Sequence, residues 1–319
     1  MKIDNYKIQT DLAIESREMV SGEENIEVKG VSVKIEEKEN KKIKITRVNI
    51  IDEQGSESMG KPIGNYITVE SDLIKENETD IHKKISKIIS NELKQLFDIK
   101  KDKKVFIVGL GNWNVTADSL GPKVISKTIV TKHLFEYMEE EISKTFGCVS
   151  AFVPGVMGIT GMETSEVVKG IVEKTKPDLL IVIDSLAARN VTRVNSTIQI
   201  TDTGIHPGSG VGNKRKEISK QTVGVQVIAI GVPTVVNAVT IVSDVVDNIN
   251  TLLKNANKSI SEEQKHSITN QLLSEDFQNL CVTPKEEDIV IKRVRNIIAD
   301  ALNVYVHHGV SIEDVREYL

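Results

Sequence analysis

Lys104-Val105-Phe106-Ile107-Val108-Gly109-Leu110-Gly111-Asn112 is the stretch that decides the fold. A short run that is apolar on both faces fits a strand buried in a parallel sheet, and the glycines behind it let the backbone turn sharply at the strand end. Two more runs share this build. Leu179-Leu180-Ile181-Val182-Ile183 ends at Asp184-Ser185, and Val225-Gln226-Val227-Ile228-Ala229-Ile230 ends at Gly231-Val232-Pro233-Thr234. Helix-like stretches separate them, expected over 121–138, 163–175 and 234–253. Strands alternating with helices imply an α/β fold: a single domain with a mostly parallel central sheet flanked by helices.

Outward from this centre the texture changes. Residues 26–71 alternate, with Ile26 and Val28, then Val31, Val33 and Ile35, then Ile43 and Ile45, and later Tyr66, Ile67 and Val69. Side chains two apart share one face of a strand, so an N-terminal antiparallel β region with one wet face is expected. Glu39-Asn40-Lys41 fits a hairpin turn between two of these strands. From Thr79 or Asp80, either able to cap a helix, Ile81, Ile85, Ile88, Ile89, Leu93 and Leu96 recur at helical spacing. The part from 258 onward reads as mostly helical, with a stripe of Ile289, Ile291, Val294, Ile297, Ile298 and Leu302. Residues 1–22 read as a short polar arm.

Composition narrows the function classes. The 319 residues carry 41 Lys+Arg against 46 Asp+Glu, a net charge of −5, which argues against broad nucleic-acid binding because phosphate neutralisation needs a basic excess. No apolar run approaches the roughly 20 residues that span a bilayer, and the start has no apolar signal segment. Cys148 and Cys281 stand far apart in no metal or redox spacing, so a reducing, cytoplasmic compartment fits.

Ligands of open parallel sheets bind outside the carboxyl ends of the strands, which directs attention to three loops. The first, residues 109–122, lacks the third glycine of a dinucleotide loop and has a long polar stretch with Trp113 instead. It carries Asp118, which either caps the helix that follows or does chemistry. The second carries Asp184 directly after a strand, either a catalytic carboxylate on rigid backbone or half of an ion pair with Arg189 or Arg193. Two carboxylates converging from neighbouring strand ends could share a proton, one accepting from water while the other donates. The third, residues 196–213, is dense in glycine and hydroxyls and reads as a long loop. It holds His206, an acid/base or ligand candidate, or else a loop histidine with one structural hydrogen bond. His307 and His308 read as surface or packing residues, and Cys148 as a small buried hydrophobe. No Gly-x-Ser-x-Gly elbow and no His-Glu-x-x-His motif occurs.

Val153-Pro154-Gly155-Val156-Met157-Gly158-Ile159-Thr160-Gly161-Met162-Glu163-Thr164 is long and unusual. With residues 109–122, 184–189, 195–212 and Gly231-Val232-Pro233-Thr234-Val235-Val236, it resembles the germination proteases of endospore-forming bacteria, over residues 8–285. The resemblance implies an endopeptidase that degrades the small acid-soluble proteins coating spore DNA, made as a zymogen that removes its own propeptide, and assembled as a homotetramer in the spore core. It implies a fold similar to that of hydrogenase maturation proteases, and it carries the family's catalytic aspartates onto Asp118 and Asp184. Asn112, Arg189 and His206 are supporting candidates.

Thr10-Asp11-Leu12-Ala13-Ile14-Glu15 resembles the family's substrate motif: an acid, an aliphatic residue, Ala, a variable residue and Glu. This implies processing at the Asp11–Leu12 bond, dividing the chain into a propeptide, 1–11, and a peptidase domain, 12–319. Hydrogenase maturation proteases hold a metal with two carboxylates and a histidine, a trio that Asp118, Asp184 and His206 could imitate. Germination proteases are not regarded as metal enzymes, so no metal and no cofactor is expected. A metal-dependent hydrolase or maturation peptidase on the same fold is the alternative, and a catalytically silent module binding the DNA-coating proteins is a third.

Overall fold

The computed structural model describes residues 10–21, 27–208, 215–255, 260–261, 264, 267–268 and 280–318. Residues 1–9 of the expected propeptide, 209–213 of the glycine-rich segment and much of 256–279 lie outside the described residues. Among the described residues nine strands form one sheet: β1 (Val31–Lys38), β2 (Ile43–Ile50), β3 (Gly64–Glu70), β4 (Lys104–Gly109), β5 (Cys148–Phe152), β6 (Leu179–Ala188), β7 (Thr197–Thr201), β8 (Gln226–Asn237) and β9 (Cys281–Val282). Their order is β1-β2-β3-β7-β8-β6-β4-β5, with β9 on β8. The expected parallel core is present as β8-β6-β4-β5. The antiparallel N-terminal strands continue the same sheet through β7.

The described helices are α1 (Ala13–Ser21), α2 (Glu53–Met59), α3 (Thr79–Leu96), α4 (Leu120–Ile125), α5 (Lys132–Phe135), α6 (Glu139–Ile142), α7 (Met157–Thr160), α8 (Thr164–Thr175), α9 (Lys220–Val223), α10 (Ala238–Asn255), α11 (Glu287–Val306) and α12 (Ile312–Tyr318). Alternation along each central strand splits the side chains between two cores. Ile107, Ile181, Ile198, Ile200 and Ile230 meet Ile85, Ile89 and Leu93 of α3 and Val294, Ile298 and Leu302 of α11. Phe106, Val108, Leu180, Val182 and Val227 meet Val168 and Val172 of α8 on the opposite face. Among the described residues no helix is long and apolar enough to cross a membrane.

Several local expectations change. Glu39, Asn40 and Lys41 all have positive φ, making the turn between β1 and β2 as expected. Only β1 keeps an alternating wet face; β2 and β3 are largely buried because α3 packs on one face and Ala13 of α1 and Met59 of α2 on the other. Val28 lies outside β1, and Ile26 lies outside the described residues. Helix α3 is preceded by Glu78, with no side-chain cap from Thr79 or Asp80. The helix expected over 121–138 breaks after Ile125, where Thr128-Ile129-Val130-Thr131 is a β-branched run that resists helix. The hydroxyl of Thr131 donates instead to Gly147 O and accepts from Val149 N at 3.0 Å.

Residues 197–201 form a fully buried strand rather than loop, because Ile198 and Ile200 fill one core between β3 and β8. Strand β8 runs through Gly231-Val232-Pro233-Thr234 to Asn237, so α10 starts at Ala238 and not at 234. Pro233 is tolerated because Thr234 is an extra, bulged residue: Leu186 pairs with Pro233 and Ala187 with Val235. Only part of the polar arm is polar. Leu12, Ala13 and Ile14 at the start of α1 are buried in two small clusters.

Candidate active site

Strand β4 hands over to a loop that folds back on itself. Leu110 N still bonds to Ile183 O of β6 at 2.8 Å, after which Gly111, at φ +111°, reverses the chain. A side chain at Gly111 would collide with the Asp118 carbonyl, so this close approach requires glycine. The Asn112 N–H then donates to both the Asp118 carbonyl, at 2.8 Å, and the Asp118 carboxylate Oδ2, at 2.9 Å. The bulged Thr234 of β8 fixes the same loop from the other side, its hydroxyl donating to Ala117 O at 2.6 Å. Gly121, in the first turn of α4, packs so closely on Leu110 and Ile183 that a Cβ would not fit. Helix α4 is thereby seated on the ends of β4 and β6, which brings Asp118 over the end of β6.

Asp184 lies inside β6 rather than in a loop after it, and is 3 % exposed. Its Oδ1 accepts from Ser185 N at 2.8 Å, while Oδ2 is buried with no hydrogen-bond partner among the described residues. Burial pushes its pKa well above the ordinary aspartate value, and repulsion from Asp118 and then Asp11 adds to this, against the N–H groups of Ser185 and Gly208. Burial likewise raises Asp118, to about 6, with the Asn112 N–H pulling the other way. The charge of Asp118, in the loop after β4, is thus felt at Asp184 in β6.

The alternative roles weighed for these acids are not found. Helix α4 has no side-chain cap at Ser119, and Asp118 bonds to Asn112 instead. Arg193 pairs with Glu18, Glu70 and Glu15 rather than with Asp184. The Asn112 side chain accepts from Asn114 N, so this residue serves the site through its backbone. Arg189 also contributes backbone, its N–H donating to Glu15 Oε2 at 2.7 Å.

The arm is docked against this strand end. Asp11 pairs with Ala187 through both its own N–H, at 3.2 Å, and its carboxylate, which accepts from Ala187 N at 2.9 Å. Leu12 is fully buried among Leu186, Ala188, Val194 and Val236, and Ala13 among Val48, Ile50, Met59 and Tyr66. Glu15 accepts from Arg189 N and, at 2.9 Å, from Asn190 N, and is joined by the Thr10 hydroxyl. A cavity of about 100 Å³ lies alongside, bounded by Asp11, Lys61, Leu186, Gln199, His206 and Gly231. His206 is exposed on its rim and makes no hydrogen bond to Asp118 or Asp184 among the described residues. No group of three or more His, Cys, Asp or Glu side chains able to hold a metal occurs among the described residues, so His206 does not complete a trio with the two acids.

The geometry thus presents a buried carboxyl, Asp184, raised by burial and by repulsion from the neighbouring Asp118, beside a docked peptide segment. The germination protease family profile matches residues 9–267. The chain belongs to the germination protease family. A germination protease of Caldanaerobacter subterraneus subsp. tengcongensis is 45 % identical over 98 % of this chain and 98 % of its own length. One of Bacillus cereus strain AH187 is 44 % identical over 100 % of this chain and 98 % of its own. A solved [NiFe] hydrogenase maturation protease, HycI of Thermococcus kodakarensis KOD1, aligns with 66 % of this chain and 98 % of its own at 17 % identity and a TM-score of 0.34. Family membership makes this protein an endopeptidase with a role in spore germination.

Three features of the site were not legible as such beforehand. Lys61, between Gly60 and Pro62, carries no motif. Thr234 matters only because of the bulge. Gln199 did leave a signal: a polar side chain between Ile198 and Ile200 on a buried strand needs a partner. His307 is a packing residue as expected, its ring between Ile129 O and Gly147 N and its pKa lowered by burial to about 4.

Proposed function

We propose that this endopeptidase cleaves peptide bonds by an acid-type mechanism in which Asp118 and Asp184 share one proton around a bound water. Asp184, buried and repelled by its neighbour, keeps the proton at neutral pH and donates it to the leaving amine. Asp118 is the readier to ionise, held by the Asn112 N–H, and takes the proton from water. The observation that carries this reading is the pair of carboxyls, both raised by burial and Asp184 further by repulsion from Asp118, with one buried oxygen of Asp184 left without a partner among the described residues.

The same reading makes the Asp11–Leu12 bond the processing bond, residues 1–11 a propeptide and 12–319 the peptidase. The docking of residues 10–15 against β6 supports it, since the arm lies where a substrate strand would. Asp11 adds a third acid to the pair, so acidification lessens the repulsion and favours activation of the zymogen. The proposed substrates are the small acid-soluble proteins coating spore DNA, in the spore core. A homotetramer is proposed with them, and the exposed Val245, Ile249 and Leu252 of α10 offer apolar surface for assembly.

The test uses Asp118→Asn and Asp184→Asn in the full chain, following the mass of the arm and fragments of an added small acid-soluble protein. Both cleavages should stop while the assembly, measured by light scattering, stays intact. Cleavage by either variant at the rate of the unaltered protein removes that residue from the mechanism. Activity abolished by a chelator, with stoichiometric metal in the purified protein, favours a metal-dependent hydrolase instead.

A further inference from the structure

We propose that Lys61 and Gln199 form a clamp on the carbonyl oxygen of the bond to be cut, in the chain's own arm and in protein substrates alike. The proposal rests on the reading that Asp11–Leu12 is a scissile bond. Two donors meet on the Asp11 carbonyl oxygen, Lys61 Nζ at 3.0 Å and Gln199 Nε2 at 3.1 Å. The other end of the Gln199 amide, Oε1, accepts from Ala13 N at 2.7 Å. That side chain therefore straddles Leu12 and grips main chain on both sides of the bond, reading no side chain. Lys61 extends the grip by donating to the Thr10 carbonyl at 3.1 Å.

Sheet register ties this clamp to the acids. Asp184 of β6 and Gln199 of β7 both sit opposite Gly231 of β8, so their side chains leave the same face of the sheet with a glycine between them. Gly231 projects nothing into that space, and Leu186 leans across it to pack on Leu12. Asp184 and Gln199 thus flank the Leu186 side chain that fills the space over Gly231, and Leu12 of the arm packs on that same side chain.

The chemistry follows directly. Water adds its oxygen to the Asp11 carbonyl carbon and gives its proton to the ionised carboxylate, while the carbonyl π pair moves onto the clamped oxygen. As that pair returns, the C–N bond breaks and the Leu12 nitrogen takes a proton from the other carboxyl. Donors aimed at the oxygen that gains charge each contribute on the order of 10²–10³ in rate.

The experiment follows first-order self-processing of the full chain by intact mass, with Lys61→Met, Lys61→Arg, Gln199→Leu and Asp184→Asn. Docking of the arm is read separately from amide exchange of Asp11 and Ser16, which bond to Ala187 and Leu12 and not to the clamp. Lys61→Met and Gln199→Leu should each slow processing about 10²-fold, Lys61→Arg should recover part of the loss, and arm protection should persist. Processing within a few-fold of the unaltered chain, with Asp184→Asn inactive, overturns the clamp and leaves the two-acid mechanism standing. Slow processing with arm protection lost makes the pair anchors only and also overturns the clamp. Cleavage retained in Asp184→Asn, or absent from the unaltered chain at every pH tried, overturns the underlying reading instead.

Discussion

Asp118→Asn should make the protein more stable at neutral pH while removing its activity. An aspartate whose folded pKa is raised from 3.8 to about 6 binds its proton more tightly in the folded state than in the unfolded one. Folding stability is then greatest below the unfolded value, falls as pH climbs through this window, and stays reduced above it. Two units at about 1.4 kcal/mol each give a penalty of about 3 kcal/mol at pH 7, reduced toward about 2 because the residue is only partly buried. The asparagine has no charge to desolvate, and its Oδ1 can still accept from Asn112 N. With an unfolding entropy of about 2 cal/mol/K per residue, the variant should melt about 3–4 °C higher at pH 7. It should melt at nearly the same temperature as the unaltered chain at pH 4. Calorimetry of both proteins across that range is the assay. An equal difference at both pH values, or a less stable variant at pH 7, refutes the claim that burial holds this carboxyl in a costly ionised state.

Further outcomes follow from the site. Gly111→Ala should cost about 1–3 kcal/mol from strain at φ +111° alone and should displace Asp118, so thermal melting falls and cleavage is lost together. Glu15→Gln should weaken the hold of two backbone N–H groups on the arm by about 1–3 kcal/mol, which limited proteolysis would detect as faster cutting within residues 10–21. His206→Ala should retain processing within about threefold, since His206 is exposed on the rim and bonds to neither acid among the described residues; a loss of 10²-fold in the mass time course would contradict this.

Both acids were legible as candidates because each follows a short run of buried apolar residues, Val105–Val108 and Leu179–Ile183, and the carboxyl ends of such strands face ligand sites in parallel sheets. The strand ends themselves were harder to read. Asp184 falls inside β6, and β8 continues through Pro233, because a bulge at Thr234 lets pairing go on where composition suggests a stop. Strand β7 hid behind the hydroxyls and glycines around it, although the alternation of Ile198 and Ile200 was present.

Local patterning of the chain was enough to determine an α/β architecture and to nominate Asp118 and Asp184, since strand burial and turn chemistry act between near neighbours. Only tertiary structure decided that Asp118 is held by Asn112 N–H, that Asp184 keeps an unpartnered buried oxygen, and that Lys61 and Gln199 meet on one carbonyl. Those facts depend on residues up to 188 positions apart, as between Gln199 and Asp11. Register across three strands and the burial it creates fix such contacts, and neither is a property of any short segment.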